Sequence, residues 1–251
     1  MSVVVGGVSL LYQGDYDVGR IAIQHLATES LGPEVWLEDL HYGAVAVAQR
    51  LQDLAPDSLV LVGAASRERA PGAVERRRVT PRSRPTAETQ LAVADAVSGY
   101  VTVDLVVDVA GGLGALPART VIVDIEPANT EPSENLSPEA SAALEGALEL
   151  VRAEVRRSPL LALAERIGAS LDRRRLEPSP ALDALEGLLG ELARLDHEGR
   201  WGATFALRDR LRLRISEGET GYGMDHLDWG LWWALIEELD RLQPLEVSAE
   251  P

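Results

Sequence analysis

The chain has 251 residues, 46% of them hydrophobic, which is enough apolar material for one large domain or for a domain with a smaller companion. Its 24 basic residues, all of them arginine, are outnumbered by 40 acidic ones, and the resulting net charge of −16 argues against nucleic acid or an anionic membrane as a partner. Disulfides and thiolate metal sites are excluded because there is no cysteine, and since neither a long apolar run nor an export signal stands out, we expect a cytoplasmic protein without membrane spans.

Strands and helices are predicted to alternate over the first three-fifths of the chain. Buried-strand patterns occur at 2–6, 34–38, 58–63, 101–108 and 119–125, and alternating apolar and charged residues at 72–79 suit an edge strand. Helical periodicity lies near 18–29 and 43–53, a further helix is expected to begin at 86–89 ahead of the apolar run 91–97, and another helix is expected near 138–156. Ser137 is the predicted N-cap of the last of these helices, and Pro138 its first residue. This alternation predicts a sheet with helices on both faces.

The pattern changes after Arg157, where no strand is predicted. Helices are expected near 159–172, 180–197, 201–215 and 224–242, so we predict an α/β domain over 1–157 and a helical extension over 158–251. Trp229, Trp232 and Trp233 fall on one face of the last helix. That face is predicted to pack as core between the helical extension and the α/β domain, and the alternative is an exposed anchor for a partner protein.

The turn after the first strand is the first candidate site. It carries Gly14, Asp15, Asp17 and Gly19, and it leads from a buried strand into a helix. Open α/β folds place their sites at the carboxyl ends of strands, so the two acids are expected there. The structural alternative is that they cap the following helix and keep the turn hydrated.

A second candidate is the arginine-rich segment 66–84, which holds seven arginines and only two glutamates in an otherwise acidic protein. Guanidinium groups bind carboxylates in a bidentate manner, so one hypothesis is a receptor for an acidic peptide or a terminal carboxylate. The other is a hydrated loop that offsets the acidic surface.

Five segments of the first three-fifths of the chain form an ordered set of motifs: GVSLLYQGDYDVG at 7–19, EDLHYG at 38–43, LVLVGAA at 59–65, TQLAVAD at 89–95 and VDIEPANTEPSENLSPEASAAL at 123–144. In order and spacing they resemble the motifs of the hydrogenase maturation proteases, the endopeptidases that trim the C-terminal extension of the large subunit of nickel-iron hydrogenases. The resemblance spans about three-fifths of the chain. It implies a three-layer α/β/α domain with a central mixed sheet of about five strands, followed here by a helical extension that the family does not usually carry.

The resemblance also implies a chemistry, and the chain departs from it at the decisive positions. In the family, three residues grip a metal ion thought to be the nickel of the precursor, and by position these fall on Tyr16, Gly63 and Thr89. None of the three is a good ligand for a borderline divalent metal. Possible substitutes nearby are Asp17, Glu38, His41 and Glu88.

Two functions therefore stay open from the sequence. The first is a peptidase that recognises the metal-loaded large subunit, in which Asp15 and Asp17 orient the ligand or the attacking water and the only metal is the nickel of the substrate protein. The second is a catalytically inactive relative that binds the large subunit or another hydrogenase assembly protein. No tightly bound cofactor is expected in either case.

Overall fold

A computed structural model describes residues 2–79, 86–96, 101–174, 180–220 and 228–246. The chain divides into two compact units, Met1–Val155 and Arg156–Pro251, where the sequence predicted 1–157 and 158–251. The strands are β1 (Val3–Val8), β2 (Val35–Leu40), β3 (Ser58–Ala64), β4 (Val74–Val79) and β5 (Arg119–Ile125). The helices are α1 (Val18–Leu26), α2 (Ala44–Leu54), α3 (Thr86–Ala96), α4 (Val103–Gly112), α5 (Pro138–Arg174), α6 (Pro180–Glu198), α7 (Thr204–Thr220) and α8 (Trp229–Glu246).

The first unit is built on a mixed five-stranded sheet in the order β2-β1-β3-β5-β4. Every pair is parallel except β4 with β5, which is antiparallel and places β4 at an edge. All residues of β1, β3 and β5 are buried, as expected for central strands covered on both faces. The predicted mixed sheet of about five strands is confirmed.

Two hydrophobic layers enclose this sheet. Helices α1 and α5 pack on one face, against Val5, Val62 and Val123 among others. Helices α2, α3 and α4 pack on the other, against side chains such as Leu61 and Ile122. The predicted three-layer α/β/α arrangement is therefore confirmed.

Helix α1 lies unusually close to β1 because two glycines face each other. A Cβ placed on Gly7 would lie 2.2 Å from the carbonyl oxygen of Gly19, and one on Gly19 would lie 2.3 Å from that of Val8. Real side chains do not tolerate such distances. The two glycines thus bring the backbone of the helix directly against the strand, which fixes the turn between them.

One predicted strand is wrong. Residues 101–108 were expected to be extended, but the chain forms helix α4 over Val103–Gly112. The hydroxyl oxygen of Thr102 accepts a hydrogen bond from the Leu105 amide at 3.2 Å and caps this helix. Val103, Val106, Val109 and Ala110 are all buried, a spacing of three to four residues that suits a helix packed on a sheet.

The predicted break near 157 is also absent from the backbone. Helix α5 runs continuously over Pro138–Arg174 with Pro159 inside it, so the two helices predicted at 138–156 and 159–172 are one. Its start agrees with the sequence, because the Ser137 hydroxyl accepts the Ala140 amide at 3.1 Å and the Ser137 carbonyl accepts the Ser141 amide at 2.9 Å. The predicted cap at Ser137 is confirmed.

The second unit has its own helical core. Leucines of α6 meet apolar residues of the second half of α5, of α7 and of α8. Trp232 is buried in this core, and Trp229 and Trp233 pack against it. Trp232 therefore belongs to the interior of the helical unit, and Trp229 and Trp233 pack on that core while staying partly exposed. In the described part of the chain, no helix is long and apolar enough to cross a membrane.

Candidate functional site

The candidate site lies at the carboxyl end of the sheet, beside β1. From β1 the chain continues through α1 to β2 on one side, while β3 pairs with β1 on the other side. Such a reversal of direction opens a crevice at the strand ends, which is where open α/β sheets bind ligands. The segments that reach this edge are the turn 9–17 after β1, His41 after β2 and the loop 126–137 after β5.

The turn 9–17 is tightly fixed by hydrogen bonds. The Ser9 hydroxyl oxygen accepts the Arg20 amide at 2.6 Å, and the Leu10 amide donates to the Tyr16 carbonyl at 3.0 Å. Gly14 has φ +54°, and a Cβ there would lie 2.7 Å from the Asn129 carbonyl oxygen. Only glycine fits this position, since both the conformation and the space oppose a side chain.

Asp15 is fully buried and joins the turn to the loop 126–137. Its carboxylate accepts hydrogen bonds from the amides of Ala128 at 2.7 Å, Asn129 at 2.8 Å and Ser137 at 2.7 Å, and from the Ser137 hydroxyl at 2.8 Å. Burial alone would raise the pKa of Asp15, but the hydrogen bonds from Asn129, Ser137 and Ala128 outweigh it and hold the pKa below its ordinary value. The carboxylate is therefore ionised and fully engaged.

Asp17 is also buried and is paired with Arg20. The Arg20 Nε donates to its two oxygens at 2.9 and 3.1 Å, and a terminal nitrogen of the same guanidinium makes a further contact. The bond with Asp17 raises the pKa of Arg20. The negative charge of Asp17 is thus balanced within its own helical turn, and a catalytic role for Asp15 or Asp17 stays a prediction.

Of the three positions that correspond to metal-gripping residues of the resembled family, the two whose side chains the structure describes carry no carboxylate or imidazole. Gly63 lies on β3, where a Cβ would meet Cγ2 of Val103 at 2.8 Å and the Val8 carbonyl oxygen at 2.9 Å. Tyr16 is half-buried and packs against the apolar layer formed with α1 and α5. Thr89 lies on α3, and its side chain falls outside the description.

The possible substitutes are held apart by other partners. The Arg50 guanidinium donates to Glu38 at 2.7 and 3.3 Å. His41 Nδ1 lies 3.1 Å from Asp39 Oδ1, and Glu88 is exposed on α3. Among the described residues, no three acidic or histidine side chains are placed to hold one metal ion.

A buried ion-pair network at the neighbouring strand ends was missed by sequence reasoning. Asp124 of β5 pairs in register with Gly63, and its oxygens accept from Arg67 Nε at 3.0 Å and from Arg69. Glu126 accepts the Arg67 amide at 2.9 Å and Arg69 Nε at 3.1 Å. The signal was present as one acid near the end of a fully buried strand, Asp124, and a second acid directly after that strand, Glu126.

Several arginines of the arginine-rich segment 66–84 form ion pairs in this network. Arg67 and Arg77 both donate to Asp104, at 2.9 and 3.0 Å, while Arg76 pairs with Glu154 of α5. Burial raises the pKa of Asp104, but the guanidinium of Arg67 more than compensates and lowers it. These arginines neutralise carboxylates of the same unit, so they do not support the hypothesis of a receptor for an acidic peptide. Arg82 and Arg84 of the same segment lie outside the described residues.

Comparison with known proteins finds similarity only at the level of solved structures. No family model and no curated protein matches the chain. The hydrogenase maturating endopeptidase HybD from E. coli is 23% identical with a TM-score of 0.49, and the match covers 63% of this chain and 94% of that one. The hydrogenase 2 maturation peptidase from a Thaumarchaeota archaeon is 22% identical with a TM-score of 0.43, covering 60% and 95%.

A third solved structure is the NiFe hydrogenase maturation protease HycI from Thermococcus kodakarensis, which is 16% identical with a TM-score of 0.41. That match covers 61% of this chain and 91% of HycI. All three carry names of the group that the motifs at 7–144 resemble.

Proposed function

We propose that this chain is a hydrogenase maturation protease-like protein that recognises the large subunit of a nickel-iron hydrogenase without cleaving it. Two observations support the proposal, one in favour of recognition of the large subunit and one against its cleavage. The order of motifs along 7–144 resembles the proteases, while the side chains at the corresponding site are unsuited to their chemistry. Any nickel involved belongs to the partner protein, and the proposed location is the cytoplasm.

The observation that carries the proposal is the surroundings of Gly63. Where the resembled family has a carboxylate, this chain has no side chain, and the space beyond is filled by Cγ2 of Val103 and the backbone of Val8. A metal ion needs lone pairs at about 2 Å, which methyl groups do not provide. The position is therefore better explained as core than as a metal site.

The acids of the turn support the same reading. A residue that activates water must have an oxygen or nitrogen free to accept a proton. Asp15 accepts four hydrogen bonds from the loop 126–137, and Asp17 is paired with Arg20. Both carboxylates fix the edge of the sheet, which suits a surface built for binding.

One observation favours the alternative of an active peptidase. The His41 side chain is 41% exposed and its Nδ1 lies 3.1 Å from Asp39 Oδ1, so an imidazole stands beside a carboxylate at this edge. Such an imidazole is a possible general base or single metal ligand. If the chain cleaves its partner, we expect His41→Ala to abolish cleavage while leaving binding intact.

The proposal is tested by mixing the purified chain with the nickel-loaded precursor of a hydrogenase large subunit. Size-exclusion chromatography detects the complex, and intact mass spectrometry detects loss of the C-terminal extension. We expect co-elution with an unchanged precursor mass. A precursor shortened by its extension would support the peptidase instead, and the absence of any complex would refute both functions.

A further inference from the structure

An exposed apolar pair lies at the tip of the turn after β1. The side chains of Leu11 and Tyr12 are 41% and 61% exposed. By contrast, Val8 and Ser9 before the pair and Asp15 after it are buried. The pair sits at the carboxyl edge of the sheet. Tyrosine at such a position offers a large contact area with few rotatable bonds, which is typical of binding surfaces.

The backbone holds this pair in place. Tyr12 has φ +59°, a conformation that is rare for an aromatic residue. Its carbonyl accepts the Ser133 amide at 2.9 Å, and the Gly14 amide donates back to the Ser133 carbonyl at 3.2 Å. The exposed ring is thus presented by a rigid support, and binding there would require little ordering of the chain.

The loop that supports Tyr12 also carries two exposed acidic residues. The Gln13 side chain donates to the Thr130 carbonyl at 2.9 Å, and the flanking residues Glu131 and Glu134 are exposed. Within the described residues, no arginine forms an ion pair with either glutamate, in contrast to the neutralised acids of the neighbouring network. The surface formed by Leu11, Tyr12, Glu131 and Glu134 is therefore apolar with an acidic border.

We infer that this surface is where the chain docks a basic segment of its partner, one in which arginine or lysine stands next to an apolar side chain. The apolar residue would cover Leu11 and Tyr12, and the cation would meet the glutamates and the face of the Tyr12 ring. The acidic border disfavours nucleic acid and anionic membranes. The identity of the partner as a hydrogenase large subunit rests on the proposed function, but the surface itself does not.

The first arm of the test measures binding of the large-subunit precursor by biolayer interferometry. Tyr12→Gly removes the ring and keeps a residue that adopts the same backbone conformation, and we expect the dissociation constant to rise about tenfold or more. Glu131→Gln combined with Glu134→Gln should weaken binding at low salt and reduce its salt dependence. Leu213→Ala, which removes a side chain 57% exposed on α7, is the matched control and should change nothing.

The second arm uses a defined probe in place of the partner. We expect the peptide Ala-Arg-Leu-Arg-Leu-Ala to shift the amide resonances of Leu11 to Gly14 and of Glu131, Ser133 and Glu134 in the ¹⁵N-labelled chain. The peptide with glutamate in place of arginine should shift none of them. Circular dichroism of each variant checks that it is folded.

The outcomes separate the two proposals. If Tyr12→Gly binds the precursor as well as the unaltered chain does, the docking surface is refuted and the proposed function stands. If no precursor is bound but the basic peptide shifts these amides, the surface stands and the proposed function fails. If neither the precursor nor the basic peptide binds, both are refuted.

Discussion

Asp15 shows how a residue that suggests catalysis from sequence serves a structural purpose. An aspartate in a glycine-rich turn at a strand end is typical of an active site, and nothing local in the sequence reveals its partners. Those partners are Ala128, Asn129 and Ser137, more than a hundred residues away. The carboxylate stabilises the loop that follows β5 and, with it, the surface around Tyr12.

We predict that Asp15→Asn destabilises the first unit by about 2–4 kcal/mol, because an amide offers one oxygen to four donors and points its own NH₂ group at others. Urea unfolding followed by far-UV circular dichroism measures the change. Glu131→Gln, on the same loop but exposed, is the control and should shift the free energy of unfolding by less than about 0.5 kcal/mol. Equal stability of Asp15→Asn and the unaltered chain would contradict the account.

The pH dependence of stability follows from the same residue. The pKa of Asp15 in the folded chain lies below its ordinary value of 3.8, so the stabilisation is complete above pH 3.8 and is lost as the pH falls through the folded-state pKa. We therefore predict that the stability difference between the unaltered chain and Asp15→Asn is full at pH 7 and shrinks below about pH 3.8. Urea midpoints at several pH values would show this, and a constant difference down to pH 2 would refute it.

Among the secondary-structure elements, helix α4 limits which side chains fit at the carboxyl edge of the sheet. Its residue Val103 occupies the space in front of Gly63, and its residue Asp104 joins the arginine network. We predict that Gly63→Asp, which introduces the carboxylate that the resembled family carries, destabilises the first unit by about 2–5 kcal/mol through overpacking and burial of charge. Adding Val103→Ala should recover part of the loss.

Nickel titration calorimetry tests whether a carboxylate at position 63 is by itself enough to create a nickel site in these variants. The Gly63→Asp, Val103→Ala double variant has room for the carboxylate but still has Tyr16 where the resembled family has an acid. We expect it to show no gain in nickel affinity over the unaltered chain. A site that binds nickel after this single restoration would mean that the remaining positions are competent.

Helix α5 is fixed to the sheet by a buried ionic cluster. Glu154 is fully buried and accepts Arg119 at 2.5 Å and Arg76 at 3.1 and 3.3 Å, while Arg119 also donates to Ser58 at 3.0 Å. We predict that Glu154→Gln costs about 3–5 kcal/mol, because it leaves two guanidinium groups short of their counter-charge. Glu149→Gln, which alters an exposed pair with Arg152, is the control and should cost less than about 1 kcal/mol. Similar losses in both variants would argue against the cluster.

The elements also show where sequence patterns are informative and where they fail. β1, β3 and β5 were predicted because a continuous apolar run between turns suits a strand buried on both faces. The valine-rich stretch 101–110 has the same composition, yet it forms α4, since the cap at Thr102 and packing on the sheet decide the outcome. Apolar periodicity alone does not separate these cases over so short a stretch.

At the scale of the whole molecule, the chain combines an α/β unit with a helical unit that has a core of its own. The sequence alone shows that Tyr16 and Gly63 stand where the resembled family has metal-gripping residues. It does not show how the neighbouring acids are used, since Glu38, for example, is paired with Arg50 of the following helix.

The proposed function, binding of the partner without cleavage, is tested by a time course of intact precursor mass. The chain is present at a stoichiometric amount, and an active maturation endopeptidase with its own precursor is the positive control. We expect an unchanged mass in a complex that persists throughout. A decrease equal to the C-terminal extension, at any rate that depends on the chain, would contradict it.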